Sequence, residues 1–300
     1  MKLLPAAAAV LATTLAAFNA GAAGLATPGI AGVVNANTAI ELVNAGFAGS
    51  DGPLGLSDGS LIFAEPRAAR ITRIDREGKL STALDDSGGA RALAIGPHGE
   101  LYAAQGSGGI ARIFPPQQAG VLAASTAELP IGAAQDLVLG QLGRIYFTAA
   151  ARDATPAGIY CIERGGTRVR RVADGPGQPQ GIQLSPDERL LYVSDRASDA
   201  VVVFDVADDG SLGTAKPFAR LASPGAGGLT IDARGRLYAA SRAGVEVFSP
   251  RGEALGLIEL PQPAQNVAFA GPGKRTLYAV GSDVVFRIAL NASGYAGRAK

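Results

Sequence analysis

Six positions, one in each of six related stretches, carry residue types that could hold a polar molecule: Asp51, Arg91, Gln135, Gln180, Gly227 and Gln265. A carboxylate, a guanidinium and three amides can hydrogen-bond hydroxyl and carbonyl groups from several sides at once. A second set lies a few residues after the next strand of each stretch: Glu65, Gln105, Ala149, Asp195, Ser241 and Gly281. Asp51, Glu65 and Asp195 are the carboxylates that could move protons, and Asp51 is the best placed because it opens a strand. Glu65 precedes Pro66 and is equally readable as a turn residue. Asp195 follows a strand, where an Asp commonly caps the next turn. The amides could bind a polyhydroxylated or carboxylated ligand, or could order channel water.

Other nucleophile chemistry finds little support. The stretch GLSDG at 55–59 matches a nucleophile-elbow pattern, but it sits in a strand-to-strand turn with no helix to follow, and that motif needs a strand-to-helix turn. The single histidine, His98, lies in a GPHG hairpin turn, so a Ser-His dyad lacks a well-placed base and a histidine pair is impossible. Cys161 is the single cysteine, so no disulfide forms within the chain. It alternates within GIYCI at 158–162 and reads as a small buried hydrophobe on a strand.

The elements that must position these residues are repeated. Residues 179–206 read as three short strands: PQGIQL, the turn SPDER, the apolar run LLYV, and a further run at 200–204. Aligning other segments on Leu191-Tyr192 finds Leu61-Ile62, Leu101-Tyr102, Ile145-Tyr146, Leu237-Tyr238 and Leu277-Tyr278, spaced by 40, 44, 46, 46 and 40 residues. A period near forty with several strands per repeat is the signature of a β-propeller blade. Six copies predict an all-β, single six-bladed β-propeller. The alternating residues from Ala39 form a lone strand before the first repeat, and the natural partner is the last blade, so this N-terminal strand closes the ring.

Composition agrees with short strands and many turns: 41 glycines and 18 prolines in 300 residues argue against a helical protein. With 27 Lys plus Arg against 26 Asp plus Glu, no excess charge advertises nucleic acid or an anionic membrane. Residues 1–22 read as a secretory signal peptide, with Lys2, an Ala/Leu-rich run shorter than a membrane span, and an A-x-A site at 20–22. Export to the periplasm or beyond is therefore expected, with no membrane span after cleavage. The remaining expected divisions are a flexible linker at 23–38, the propeller at 39–290 and a frayed tail at 291–300.

Several phrases carry a resemblance: ELVNAGF at 41–47 with DGPL at 51–54, QDLV at 135–138 with GRIYFT at 143–148, QGIQLSPDER at 180–189, GGLTIDARGRLY at 227–238, and IELP at 258–261 with QNVAFAGP at 265–272. Together they resemble the regucalcin, gluconolactonase and luciferin-regenerating-enzyme-like family over 39–290. The resemblance implies a six-bladed propeller that holds a divalent cation at one end of its channel and hydrolyses sugar lactones or related esters. The seven-bladed phosphogluconolactonase-type repeat is similar at 185–194, but six registers fill the chain before Asn291.

In the family pattern, a Glu, an Asn and an Asp hold the cation and a further Asn lies near substrate. Those places carry Asp51, Gln180, Gly227 and Gln135 here. Asp51 and Gln180 keep oxygen ligands, whereas Gly227 removes the carboxylate that in the family also serves as general base. With one carboxylate and the opposing Arg91, calcium, manganese or zinc is expected to bind weakly or not at all. Two functions follow: a lactone or small-ester hydrolase with a depleted metal site, or a non-catalytic propeller that binds a small polar ligand or a protein partner at its mouth.

Overall fold

The computed structural model describes residues 25–297 apart from Ser107 and Thr167; the expected signal peptide and its A-x-A site lie outside the described residues. A lone strand, β1 (Ile40–Ala45), precedes four-stranded blades. Blade one contains β2 (Asp51–Gly55), β3 (Leu61–Glu65), β4 (Arg70–Ile74) and β5 (Leu80–Leu84). Blade two contains β6 (Ala90–Ile95), β7 (Leu101–Gln105), β8 (Gly109–Phe114) and β9 (Gly120–Ala124), and blade three β10 (Ala133–Leu139), β11 (Ile145–Ala150), β12 (Gly158–Ile162) and β13 (Val169–Asp174). Blade four contains β14 (Pro179–Leu184), β15 (Leu190–Asp195), β16 (Ala200–Asp205) and β17 (Lys216–Arg220). Blade five contains β18 (Leu229–Ile231), β19 (Leu237–Ser241), β20 (Gly244–Phe248) and β21 (Ala254–Glu259). Blade six has β22 (Asn266–Ala270), β23 (Thr276–Val280) and β24 (Val284–Ala289), and takes its fourth strand from β1. Ile40 pairs with Ile288 and Ala45 with Val284, antiparallel, so the first strand of the chain completes the last sheet.

The six aligned pairs fall on the second strand of each blade, and the short apolar runs are buried because both faces of an inner sheet pack against neighbouring sheets. A hydrophobic cluster fills each junction: Leu54 with Leu93 between blades one and two, Ala92 with Leu137, Val138 with Ile182, Tyr192 with Leu229, Val245 with Val267, and Ala268 with Leu61 back to blade one. Cys161 is buried in the third of these junctions, where desolvation raises its thiol pKa, as befits a packing residue. Among the described residues no helix is long and apolar enough to cross a membrane.

Both ends differ from the sequence expectation. The segment expected to be a flexible linker folds into a tight hairpin in which Ile30 bridges Val34, with Gly29 and Gly32 at positive φ making the turns. Ile30, Val33 and Val34 are buried against blades five and six, burial that composition alone conceals within a Gly/Ala-rich stretch. Within the expected frayed tail, residues 291–295 are anchored as well. Asn291 and Ala292 donate backbone N–H groups to the Val33 carbonyl, and Gly294 bridges Asp232.

Tyr295 then makes four attachments to four different blades. Its hydroxyl donates to the Pro186 carbonyl (2.8 Å) and accepts from Gln141 Nε2 (2.8 Å). Its N–H donates to the Ile231 carbonyl (3.1 Å), and its own carbonyl accepts from Lys274 Nζ (3.1 Å). A residue on the rim of a ring can touch two neighbouring blades; contact with blades three, four, five and six places Tyr295 close to the axis, at the face opposite Asp51.

Candidate functional site

Each inner strand begins at one end of the channel, and four of the six are distorted there. The ladder slips between Asp51 and Leu54, between Ala90 and Ala92, between Ala134 and Asp136, and between Pro179 and Ile182. A bulge of this kind takes residues out of the pairing and re-aims their side chains. The slipped positions include Arg91, Gln135 and Gln180, which is how residues flanked by buried positions such as Ala90, Ala92, Ala134 and Gly181 come to line an opening. They meet Asp51 and Gln265 around a cavity of about 370 Å³. Five of the six positions proposed as the first ring are thereby brought together.

The cavity also holds residues that the sequence argument did not select: Asp136, Asn266, Gln178, Arg196 and Gly228. Asp136 and Asn266 directly follow Gln135 and Gln265, and strand alternation assigns such neighbours to opposite faces; the slip in β10 and the late start of β22 place both of each pair at the mouth. The adjacent polar residues in QD at 135–136 and QN at 265–266 were the available signal. Gln178 and Arg196 come from the loops beside β14 and β15.

The second ring does not line this cavity. Glu65 is fully buried inside blade one, where it accepts Arg70 Nε (2.8 Å) and Nη2 (3.0 Å), the Ala48 N–H (2.9 Å) and the Thr72 hydroxyl. Burial works to raise its pKa, but these donors outweigh it and hold the carboxyl below its usual range. Gln105 donates instead to the Ser87 carbonyl (3.4 Å). Asp195 accepts the N–H groups of Gln178 (2.8 Å) and Ala197 (3.1 Å) and the Ser198 hydroxyl (2.6 Å). It caps the turn, and so it positions the loop bearing Gln178 and Arg196 rather than facing a ligand. Ser57 and His98 both lie on exposed hairpin turns, away from any such constellation.

Asp51 is the central chemical group. Its Oδ1 accepts the Gly52 N–H (2.8 Å) and Asn266 Nδ2 (3.2 Å). Desolvation, reinforced by repulsion from Asp136, pushes its pKa up to about 6 against the pull of those donors and of Arg91. Asp136 is buried, and both its oxygens receive backbone donors: the Leu137 N–H on Oδ1 (2.9 Å) and the Ile182 N–H on Oδ2 (3.1 Å). It ties blade three to blade four. Gln135 and Gln180 donate their amide N–H groups to the Ala133 (2.9 Å) and Pro179 (3.2 Å) carbonyls, which leaves their Oε1 atoms available to a ligand.

This donor set does not fit a tightly held divalent cation. A hard cation takes about six to eight oxygens and gains affinity from their negative charge. Here Asp51 and Gln180 share the cavity as expected, but Asp136 is committed to backbone donors, and Arg91 and Arg196 stand in the same cavity. Among the described residues no three or more His, Cys, Asp or Glu side chains gather as a metal group. The place where the resemblance expects a carboxylate has no room for a side chain. A Cβ on Gly227 would lie 2.4 Å from the Gln265 carbonyl oxygen, and one on Gly228 would lie 1.8 Å from Asn266 Oδ1. Blade six occupies the space that a side chain on blade five would need.

Residues 50–282 match the family described as SMP-30/gluconolactonase/LRE-like region. The chain belongs to this family. A gluconolactonase from Zymomonas mobilis is 27% identical to this SMP-30/gluconolactonase-like chain over 308 residues, spanning 89% of it and 86% of the relative. Among solved structures, a gluconolactonase from Xanthomonas campestris superposes with a TM-score of 0.77 at 24% identity, covering 85% of this chain and 90% of its own. Regucalcin from Agrobacterium tumefaciens, a calcium-binding protein, gives 0.74 at 17% identity and covers 86% and 95% respectively. At these identities the structural likeness speaks for the six-bladed fold.

Proposed function

We propose that this propeller is a lactonase-type hydrolase for a small polyhydroxylated lactone, with Asp51 as its general base. The observation that carries the reading is a carboxyl group with a pKa near 6, set in a cavity of sugar size and surrounded by amides and guanidinium groups. The gluconolactonase relatives support the reaction class. The amides of Gln135, Gln180 and Gln265 orient the sugar hydroxyls. Ionised Asp51 takes a proton from water as the water oxygen bonds to the lactone carbonyl carbon. The oxyanion that develops is stabilised by Arg91. The ring C–O bond then breaks, its oxygen takes the proton held by Asp51, and a hydroxy acid leaves, losing its own proton to solvent. No step passes through a cation: calcium, manganese and zinc are expected to bind through Asp51 and Gln180 at about millimolar affinity or weaker. Export remains part of the proposal, resting on residues 1–22 alone.

The test is proton release from a panel of aldonolactones, with each of the three cations or with chelator. The expected result is turnover above buffer that survives chelation, rises with pH through about 6 and is lost in Asp51→Asn. Wild-type rates equal to buffer under every condition would replace the hydrolase with a non-catalytic propeller that binds through the same mouth.

A further inference from the structure

The mouth carries guanidinium groups that the proposed hydrolysis does not use. Beside the central cavity lies a second chamber of about 350 Å³ that shares Arg196 and Gln265 with it and adds Arg242 and Asp199. Arg196 therefore stands between the two chambers. The Arg196 and Arg242 side chains are exposed, and neither forms an ion pair or a hydrogen bond with the described residues. Their backbones are nevertheless fixed: the Arg196 N–H donates to the Gln178 carbonyl (3.0 Å) and the Arg242 N–H to the Pro224 carbonyl (2.9 Å). Asp199 has an oxygen engaged by the Gly225 N–H (2.7 Å). Over the two chambers three arginines balance three aspartates, but they are unevenly placed: the central cavity sets Asp51 and Asp136 against Arg91 and the shared Arg196, whereas the side chamber sets Arg196 and Arg242 against Asp199 alone, so an anionic group is best received at the Arg242 end.

We infer that the preferred substrate is a lactone bearing a free carboxylate, an aldaric acid monolactone, whose ring occupies the central cavity and whose carboxylate reaches Arg196 and Arg242. A guanidinium fork binds the two oxygens of a carboxylate in one plane. A phosphate dianion carries one charge too many for a chamber that also holds Asp199. The inference rests on the hydrolase reading for its reaction, but the anion site can be measured without it.

The experiment compares glucaric acid monolactone with neutral gluconolactone, and Arg242→Gln with wild type; Arg242 lies outside the reacting cavity and is exposed, so the variant is expected to fold. Wild type should favour the carboxylated lactone in kcat/KM. In Arg242→Gln the KM for that substrate should rise about tenfold with kcat unchanged, while the neutral lactone is unaffected. Raising the ionic strength should narrow the preference. Equal kcat/KM for the two lactones, an equal loss for both in the variant, or a stronger preference for a phosphorylated aldonolactone would overturn the inference and leave hydrolysis standing. Should no lactone be turned over, calorimetry with glucaric acid monolactone and neutral gluconolactone as plain ligands separates the two ideas. Tighter binding of the carboxylated lactone that Arg242→Gln abolishes supports the anion site, and indistinguishable binding removes it.

Discussion

Asp51 is ionised at neutral pH against the preference of its surroundings, and the consequence is expected in stability as well as in the proposed reaction. Its pKa near 6 in the folded chain exceeds the ordinary value of 3.8, so between those pH values the folded state holds more proton than the unfolded one. Folding is therefore progressively disfavoured as pH climbs from about 4 to about 6, and the cost persists above that. Asp51→Asn keeps an oxygen for the Gly52 N–H while removing the charge. Its melting temperature is expected to exceed that of wild type at pH 8 and to match it near pH 4. A variant no more stable at pH 8 would show that Asp51 is well solvated, and would weaken its assignment as base. The neighbouring glycines carry a separate lesson. The resemblance sets Gly227 where a carboxylate is expected, but the Gln265 carbonyl pressed against it is not readable in sequence, because the approach of two blades is a property of the assembled ring.

Among the elements, blade one shows how a carboxylate near the channel can be wholly structural. Glu65 ends β3 and joins Arg70 and Thr72 of β4 to Ala48 ahead of β2. Glu65→Gln is expected to lower stability by about 2 kcal/mol, read by denaturant titration, because buried donors lose a charged acceptor. Its depressed pKa makes that stabilisation present at neutral pH and lost as pH falls through the folded value, so the variant should converge on wild type in acid. Unchanged denaturation at pH 7 would contradict this. The strand assignments were readable from apolar runs and turn chemistry, and they located Asp51, Arg91, Gln135, Gln180 and Gln265. The ladder slips were not readable, since a bulge leaves no mark in a pattern of alternation. Asp136 escapes the alternation for that reason, and Asn266 because β22 starts at it rather than at Gln265, while Glu65 enters the second ring by its place after the aligned pair, which carries no sign of its partners Arg70 and Thr72 across the hairpin.

For the whole molecule, the period near forty residues predicts the six sheets and the unpaired strand from Ala39 predicts their closure, as the pairing of β1 with β24 shows. The ends of the chain were harder to read. A hairpin built on Ile30, Val33 and Val34 and a tail fixed by single backbone bonds have no repeat to betray them. Tyr295→Ala removes a hydroxyl with two partners and a ring packed beside blades four and five. We expect it to lower the melting temperature by about 4 °C, for a loss of about 2 kcal/mol. A variant that melts with wild type would mean that the tail is not holding the ring.

That same tyrosine has a bearing on rigidity. Through its hydroxyl, N–H and carbonyl it ties together segments of blades three, four, five and six. Without it those four sheets are free to breathe independently, so in Tyr295→Ala the segments that carry Gln141, Pro186, Ile231 and Lys274 are expected to exchange their amide hydrogens faster than in wild type.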